Sequence, residues 1–294
     1  MMSSSLARGI EPGVAWSEQY VTANGVRFHT LQAGADDAPL ALLLHGFPEY
    51  AYSWRFQLAG LADRYHVVAP DLRGYNLSDK PASGYDVASL AADVRELVYA
   101  LGAREAAIIG HDWGGGVAWV TAIREPEVTR RLVIVNAPHP AAMLRELRNP
   151  RQMLRSAYMG FFQLPGLAER VIRRNDYATI RRMFRSADTA YAWLSDDDID
   201  RYIAAIARPG ALTAALAYYR QLPHDVAALS PMRVITAPTL VLWGELDPFL
   251  GPELLNDLDA WAPDLTITRF PTAGHWLNQQ EPERVNAAIA AFLG

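Results

Sequence analysis

The stretch Gly110-His111-Asp112-Trp113-Gly114-Gly115 decides how the rest of this 294-residue chain is read. It follows a short strand-like run, Ala107-Ile108-Ile109, and precedes a helix-like stretch, Val117-Ala118-Trp119-Val120. Small residues at Gly110, Gly114 and Gly115 let a strand and a helix approach closely around a sharp turn. Such a turn exposes its central side chain over the sheet edge, and the backbone N–H groups that follow point back toward it. That position is commonly a serine; here it is Asp112.

The exchange decides which chemistry can turn over. A serine attacking an sp³ carbon would end as an ether, whereas a carboxylate gives an ester that water can hydrolyse. Asp112 therefore points to a saturated carbon bearing a leaving group, an epoxide oxygen or a halide. The competing role for an aspartate at this position is to cap the following helix.

Two strand-like stretches open the chain, Glu18–Ala23 and Val26–Leu31, around an Asn24-Gly25 turn signal. The apolar run Leu40–Leu44 ends at His45-Gly46-Phe47-Pro48, and His66–Asp71 reads as another strand. Leu90, Val94, Leu97, Val98 and Leu101 form one apolar helical stripe. Leu132–Val135, Thr239–Trp243 and Leu265–Phe270 complete eight strand-like runs, and a closing helix carries Val285, Ile289 and Phe292 on one face. Strands alternating with helices imply a mostly parallel eight-stranded sheet with helices on both faces, an α/β fold. From His139 to Asp225 the texture is helical and broken by prolines, including Pro223. The expected organisation is a core of residues 1–138 and 226–294 with a helical cap, 139–225, inserted after a core strand.

Composition narrows the partners. A net charge of −5 gives no general attraction to nucleic acid. Between His139 and Asp225 there are 13 Arg and 9 Asp or Glu, so the insertion carries +4 and the remainder −9. These arginines recur at helical spacing and read as a solvated face rather than a phosphate site. With no cysteine there is no disulfide or thiolate metal site. Met1 to Arg8 has no apolar leader region, and no run reaches membrane-span length, so no membrane partner and a cytoplasmic location are expected.

In open α/β sheets, catalytic groups gather at the carboxyl ends of strands. Asp247 follows Val241-Leu242-Trp243, and His275 sits after the last strand in Ala273-Gly274-His275-Trp276. Together with Asp112 they follow the chain order nucleophile, acid, histidine. His275 would act as general base on water, with Asp247 holding its tautomer. Glu245 competes with Asp247, and Asn136 stands where an alternative acid would be. The N–H groups of Phe47 and Trp113 are the expected oxyanion hole; one such donor is typically worth about 10²–10³ in rate. His45 and His111 are read as loop braces, and His29, His66, His139 and His224 as structural or surface residues. An epoxide would also need a neutral proton donor opposite the nucleophile, and tyrosine stays protonated at neutral pH. The insertion offers Tyr158 and the pair Tyr218-Tyr219, between which chemistry alone does not choose.

The chain resembles the epoxide hydrolases of the α/β-hydrolase superfamily from about Gln19 to Phe292. The matching segments are His45-Gly46-Phe47-Pro48-Glu49 with Ser53-Trp54-Arg55, and Gly110 to Gly115. Asn136-Ala137-Pro138-His139-Pro140, Phe161-Phe162-Gln163-Leu164-Pro165-Gly166, Arg208-Pro209-Gly210-Ala211-Leu212 and Gly274-His275-Trp276 also match. The resemblance implies the α/β-hydrolase fold, two ring-opening tyrosines at Tyr158 and Tyr219, and a cis Phe47-Pro48 bond. It implies a small apolar epoxide and water as partners, no cofactor and no metal, with a second copy of the chain the one macromolecular candidate. Haloalkane dehalogenases share the Asp112 and His275 pieces and are the alternative, but a halide would leave the tyrosine pair without a task. Met159, Phe162, Leu164, Trp193 and Met183 are candidates for the pocket wall or for packing.

Overall fold

The computed structural model describes residues 16–186, 193–228 and 233–294. The stretch Met1 to Arg8, read for a leader, lies outside them. Eight strands form one sheet: β1 (Ser17–Ala23), β2 (Val26–Ala33), β3 (Leu40–Leu44), β4 (His66–Pro70), β5 (Ala106–His111), β6 (Thr129–Val135), β7 (Thr239–Gly244) and β8 (Leu265–Phe270). Their spatial order is β1-β2-β4-β3-β5-β6-β7-β8. Only the β1–β2 and β2–β4 pairings are antiparallel; from β4 to β8 every neighbour is parallel, as the alternation of elements predicts. Asn24 and Gly25 both have positive φ, 46° and 71°, the geometry a tight two-residue hairpin requires.

The central strands are apolar on both faces because both are covered. Leu42, Leu44, Ile108, Leu132, Ile134, Val241 and Trp243 face one core, while Leu43, Ile109, Val133, Val135, Leu240 and Leu242 face the other. The alternation follows from the two-residue repeat of a strand. The helices α1 (Arg55–Leu61), α2 (Val87–Ala100) and α3 (Trp113–Arg124) connect the first strands. α2 starts where Asp86 accepts from the Ser89 amide at 2.9 Å, and it buries Leu90, Val94, Leu97 and Val98.

Between β6 and β7 the described residues are helical: α4 (Pro140–Glu146), α5 (Pro150–Arg155), α6 (Ala157–Phe162), α7 (Leu167–Ile172), α8 (Arg174–Ser186), α9 (Asp196–Ile206) and α10 (Ala211–Ala228). α9 is set by a reciprocal cap between Ser195 and Asp198. Pro223, read as a break, sits inside α10 instead. The chain closes with α11 (Leu277–Gln280) and α12 (Pro282–Leu293). α12 buries Val285, Ile289 and Leu293, and Phe292 is half-buried against the same core. The four-residue repeat carries the buried stripe to Leu293, and Phe292, at its edge, also lies under the Arg131 guanidinium, 5.2 Å from its ring centre. No described helix is long and apolar enough to cross a membrane.

Candidate active site

Five loops leave the carboxyl ends of adjacent parallel strands and converge. β3 delivers His45 to Pro48, β5 delivers Asp112, β6 delivers Asn136, β7 leads to Asp247 and β8 to His275. Asp112 occupies φ 49°, ψ −119°, a strained conformation for a residue with a side chain. It is tolerated because its surroundings hold it: the Gly116 amide donates to its carbonyl at 2.9 Å, and α3 begins with the next residue. A Cβ on Gly46 would collide with the Asp112 side chain, and one on Gly114 with the backbone of Leu44 and His45. The glycines are therefore a packing requirement of the turn.

The Phe47 amide donates to Oδ1 of Asp112 at 2.8 Å, and Oδ2 lies 3.5 Å from Nε2 of His275. On the other side of the imidazole, Nδ1 donates to Oδ2 of Asp247 at 2.7 Å. Asp247 is itself fixed: its Oδ1 accepts from the Phe249 and Leu250 amides at 2.7 and 2.9 Å, and its Oδ2 also accepts from Nδ2 of Asn136 at 2.9 Å. Glu245, the competitor, is paired with Arg269 at 3.0 Å instead. Trp113 follows Asp112 directly as the first residue of α3, where helix amides lack intrahelical partners. The Phe47-Pro48 peptide is cis.

The charges are coupled. Burial opposes ionisation of Asp112, but the hydrogen bond and charge of His275, the charge of His111 and the Phe47 amide hold it below the usual carboxylate value. Burial likewise disfavours an imidazolium at His275, yet the flanking Asp247 and Asp112 push it up to about 10. The resting pair is thus a carboxylate beside an imidazolium.

A cavity of about 510 Å³ opens onto Asp112, lined by Trp113, Met143, Tyr158, Tyr219 and Leu222 among others. Both tyrosines sit opposite α3, their rings 6.1 Å apart, and Tyr219 packs edge-on against Trp113 and Phe47. Burial, and for each the nearby Asp112 charge, raise both phenols above their ordinary value, so both remain protonated. Tyr218, their sequence neighbour, points elsewhere and donates its hydroxyl to the Arg73 carbonyl at 2.8 Å. A second cleft of about 580 Å³ lies at the opposite, amino ends of the strands, beside Leu40, His66 and Ala107, far from this chemistry.

Of the proposed wall residues, Met159 lines the cavity. Phe162 packs on Phe47 and Tyr219, Trp193 stacks on Trp276, Met183 packs against the core, and Leu164 is exposed. His45 accepts from the Leu72 amide at 3.0 Å, and His111 bridges Glu49 (3.1 Å) and the His275 carbonyl (2.9 Å), both in bracing positions. His29 pairs with Asp71 at 2.8 Å, and His139 caps α4. Sequence reasoning missed two supports. The sequence marks Asn136 as a non-acid and as part of a matching segment, without a role. Gln279 went unread, although it takes hydrogen bonds from Arg55 (2.6 Å) and Tyr202 (2.8 Å) and donates to Glu49 at 2.6 Å. The signals for Asn136 are its place at the end of β6 and its position opening the matching segment Asn136-Ala137-Pro138-His139-Pro140. No group of side chains suited to hold a metal ion occurs among the described residues.

Residues 39–282 match the family model described as the α/β hydrolase fold. Over 280 residues the chain is 38% identical to epoxide hydrolase 4 of Mus musculus, covering 92% of this chain and 77% of that protein. It is 40% identical over 279 residues to the AB hydrolase superfamily protein YfhM of Bacillus subtilis (strain 168), covering 94% and 97% of the two chains. Among solved structures, an inhibitor complex of Bacillus megaterium epoxide hydrolase superposes with a TM-score of 0.87 at 32% identity, covering 94% of this chain and 99% of that one.

Proposed function

The chain belongs to the epoxide hydrolases of the α/β-hydrolase fold, and from that premise we propose that it converts an epoxide and water to a vicinal diol through an ester of Asp112. The observation that carries the reading is a single cavity bounded by an ionised Asp112 on one side and two protonated phenols, Tyr158 and Tyr219, on the other.

Oδ1 of Asp112 is anchored by the Phe47 amide, which leaves Oδ2 as the attacking oxygen. As Oδ2 bonds to a ring carbon, the C–O bond breaks and a tyrosine hydroxyl gives its proton to the departing oxygen. The imidazolium proton of His275 then restores the tyrosine. Esterification removes the Asp112 charge, one of the two carboxylates that hold His275 protonated, so the histidine becomes a base when a base is required. It takes a proton from water, the hydroxide adds to Cγ of Asp112, and the Phe47 and Trp113 amides receive the oxyanion. As the acyl C–O bond breaks, Oδ2 leaves with the product and takes its proton from the hydroxyl just added to Cγ. The diol thus departs neutral, Asp112 returns to a carboxylate and His275 keeps the proton it took from water, closing the cycle. Asp247 orients the ring throughout and stabilises its cationic form. Neither a cofactor nor a metal takes part in this scheme.

Residues 139–225 serve as a cap that supplies the tyrosines and the apolar wall, and residues 1–138 and 226–294 as the core that supplies nucleophile, acid and base.

The test is a single turnover in heavy-oxygen water. Acyl cleavage places the new oxygen in the Asp112 carboxylate and none in the diol. Label in the diol of the first turnover, with none in the Asp112 peptide, would mean that water attacks the epoxide directly.

A further inference from the structure

The segment from the end of α4 to the start of α8 carries a second pattern that the proposed chemistry does not use. From Arg148 to Arg174 the chain holds six arginines and one acid, Glu169. Glu169 is buried, and both its oxygens accept from Arg220, at 2.9 and 3.1 Å. Arg148, Arg151, Arg170, Arg173 and Arg174 are exposed and Arg155 half-buried, and none of the six is ion-paired among the described residues. The exposed acids Asp176 and Asp257 are engaged with Arg181 and Arg145, and the half-buried Glu253 flanks Gly251 together with Arg155.

The same stretch is apolar where it meets water. Met153, Leu154, Leu164 and Leu167 are 58, 78, 47 and 48% exposed, four of the nine exposed large apolar side chains described. Met153, Ala157 and Gly160 are both exposed and part of the cavity lining, so the mouth of the 510 Å³ cavity opens through this face. An exposed apolar rim continuous with an apolar cavity, set among unpaired arginines, matches the surface of an anionic bilayer in charge and in polarity.

We propose that this face docks on an anionic lipid surface, arginines against headgroup phosphates and Leu154 and Leu167 at the acyl boundary, so that epoxides dissolved in the lipid enter the cavity without crossing water. Docking is independent of the catalytic reading; delivery of an epoxide rests on it. The +4 insertion and the −9 remainder orient the molecule with this face toward negative charge. A second copy is a poor occupant, because a two-fold contact would set arginines against arginines with no exposed acid to answer them. A nucleic acid would satisfy the arginines and leave the leucines in water.

Vesicle flotation of the full chain tests this, with phosphatidylcholine alone and with phosphatidylcholine containing phosphatidylglycerol. The protein should float with the anionic vesicles, stay behind with the neutral ones, and be released by high salt. An arginine near such a surface contributes roughly fivefold to binding, so R170E/R173E/R174E should lower partitioning by more than about a hundredfold. L154D/L167D should also abolish flotation, and both variants should hydrolyse dissolved styrene oxide at the parent rate, since none of these residues lines the cavity. A parent protein that ignores anionic vesicles, or variants that float as well as it does, would overturn the proposal. A dimer by sedimentation that L154D/L167D dissociates, without any flotation, would give the face to a second copy and overturn it too. Flotation without turnover of dissolved epoxide would leave docking standing and remove the catalytic reading.

Discussion

Nδ2 of Asn136 donates at 2.9 Å to Oδ2 of Asp247, the same oxygen that receives the Nδ1–H of His275 at 2.7 Å. The asparagine is pinned in turn, its Oδ1 accepting from the Gly244 amide at 2.9 Å. One oxygen thus carries both the orientation of the catalytic imidazole and a link from β6 to β7. Asn136→Ala removes a hydrogen bond to a charged group, of the kind worth about 1.5–3 kcal/mol. Ester hydrolysis should slow by roughly 10–10²-fold while ring opening is nearly unchanged. Rapid-quench kinetics that resolve the two half-reactions check this; equal slowing of both steps would contradict it.

The two phenols divide the reaction the other way. Tyr158→Phe or Tyr219→Phe should slow ester formation by about 10²-fold, and the double variant further, without slowing hydrolysis of ester already formed. Tyr218→Phe is the control. Its hydroxyl serves the Arg73 carbonyl, so it should lose about 1 kcal/mol of stability and no alkylation rate. Single-turnover alkylation and urea unfolding separate the two effects.

Because the folded pKa of His275 is raised to about 10 from an unfolded value near 6.5, the folded state holds a proton that the unfolded state has lost between these values. This contribution to stability is fully present below about pH 6.5 and disappears as pH rises through about 10. His275→Gln should flatten that decline in unfolding free energy. Asp112→Asn, which removes one of the two carboxylates, should lower the imidazole pKa as read by NMR. An unaltered imidazole titration in Asp112→Asn would show that Asp112 does not support the proton.

Gly46→Ala places a methyl group against the Asp112 side chain and displaces the loop that carries the Phe47 amide. Turnover should fall by at least about 10²-fold, the scale of one lost oxyanion donor, with adduct formation and hydrolysis both impaired. Intact mass after mixing with epoxide reports the first, and diol release the second.

What the sequence by itself determined is local or covalent. Glycines around residue 112 specify a sharp turn, an aspartate within it specifies an ester, and strand and helix periodicities specify a layered parallel sheet. Each of these is a property of neighbouring residues. The tertiary structure alone decided which groups meet over long chain separations. It turned Tyr218 onto Arg73 and placed Tyr219 in the cavity, although the two are adjacent and chemically identical. It made Asn136 the clamp of a carboxylate 111 residues away, and it extended the buried stripe of α12 to Leu293. It also left the arginines between Arg148 and Arg174 at the surface while turning their single acid, Glu169, inward onto Arg220. Side-chain direction on a helix depends on what the helix packs against, and that partner is set by the sheet order, which no local pattern contains.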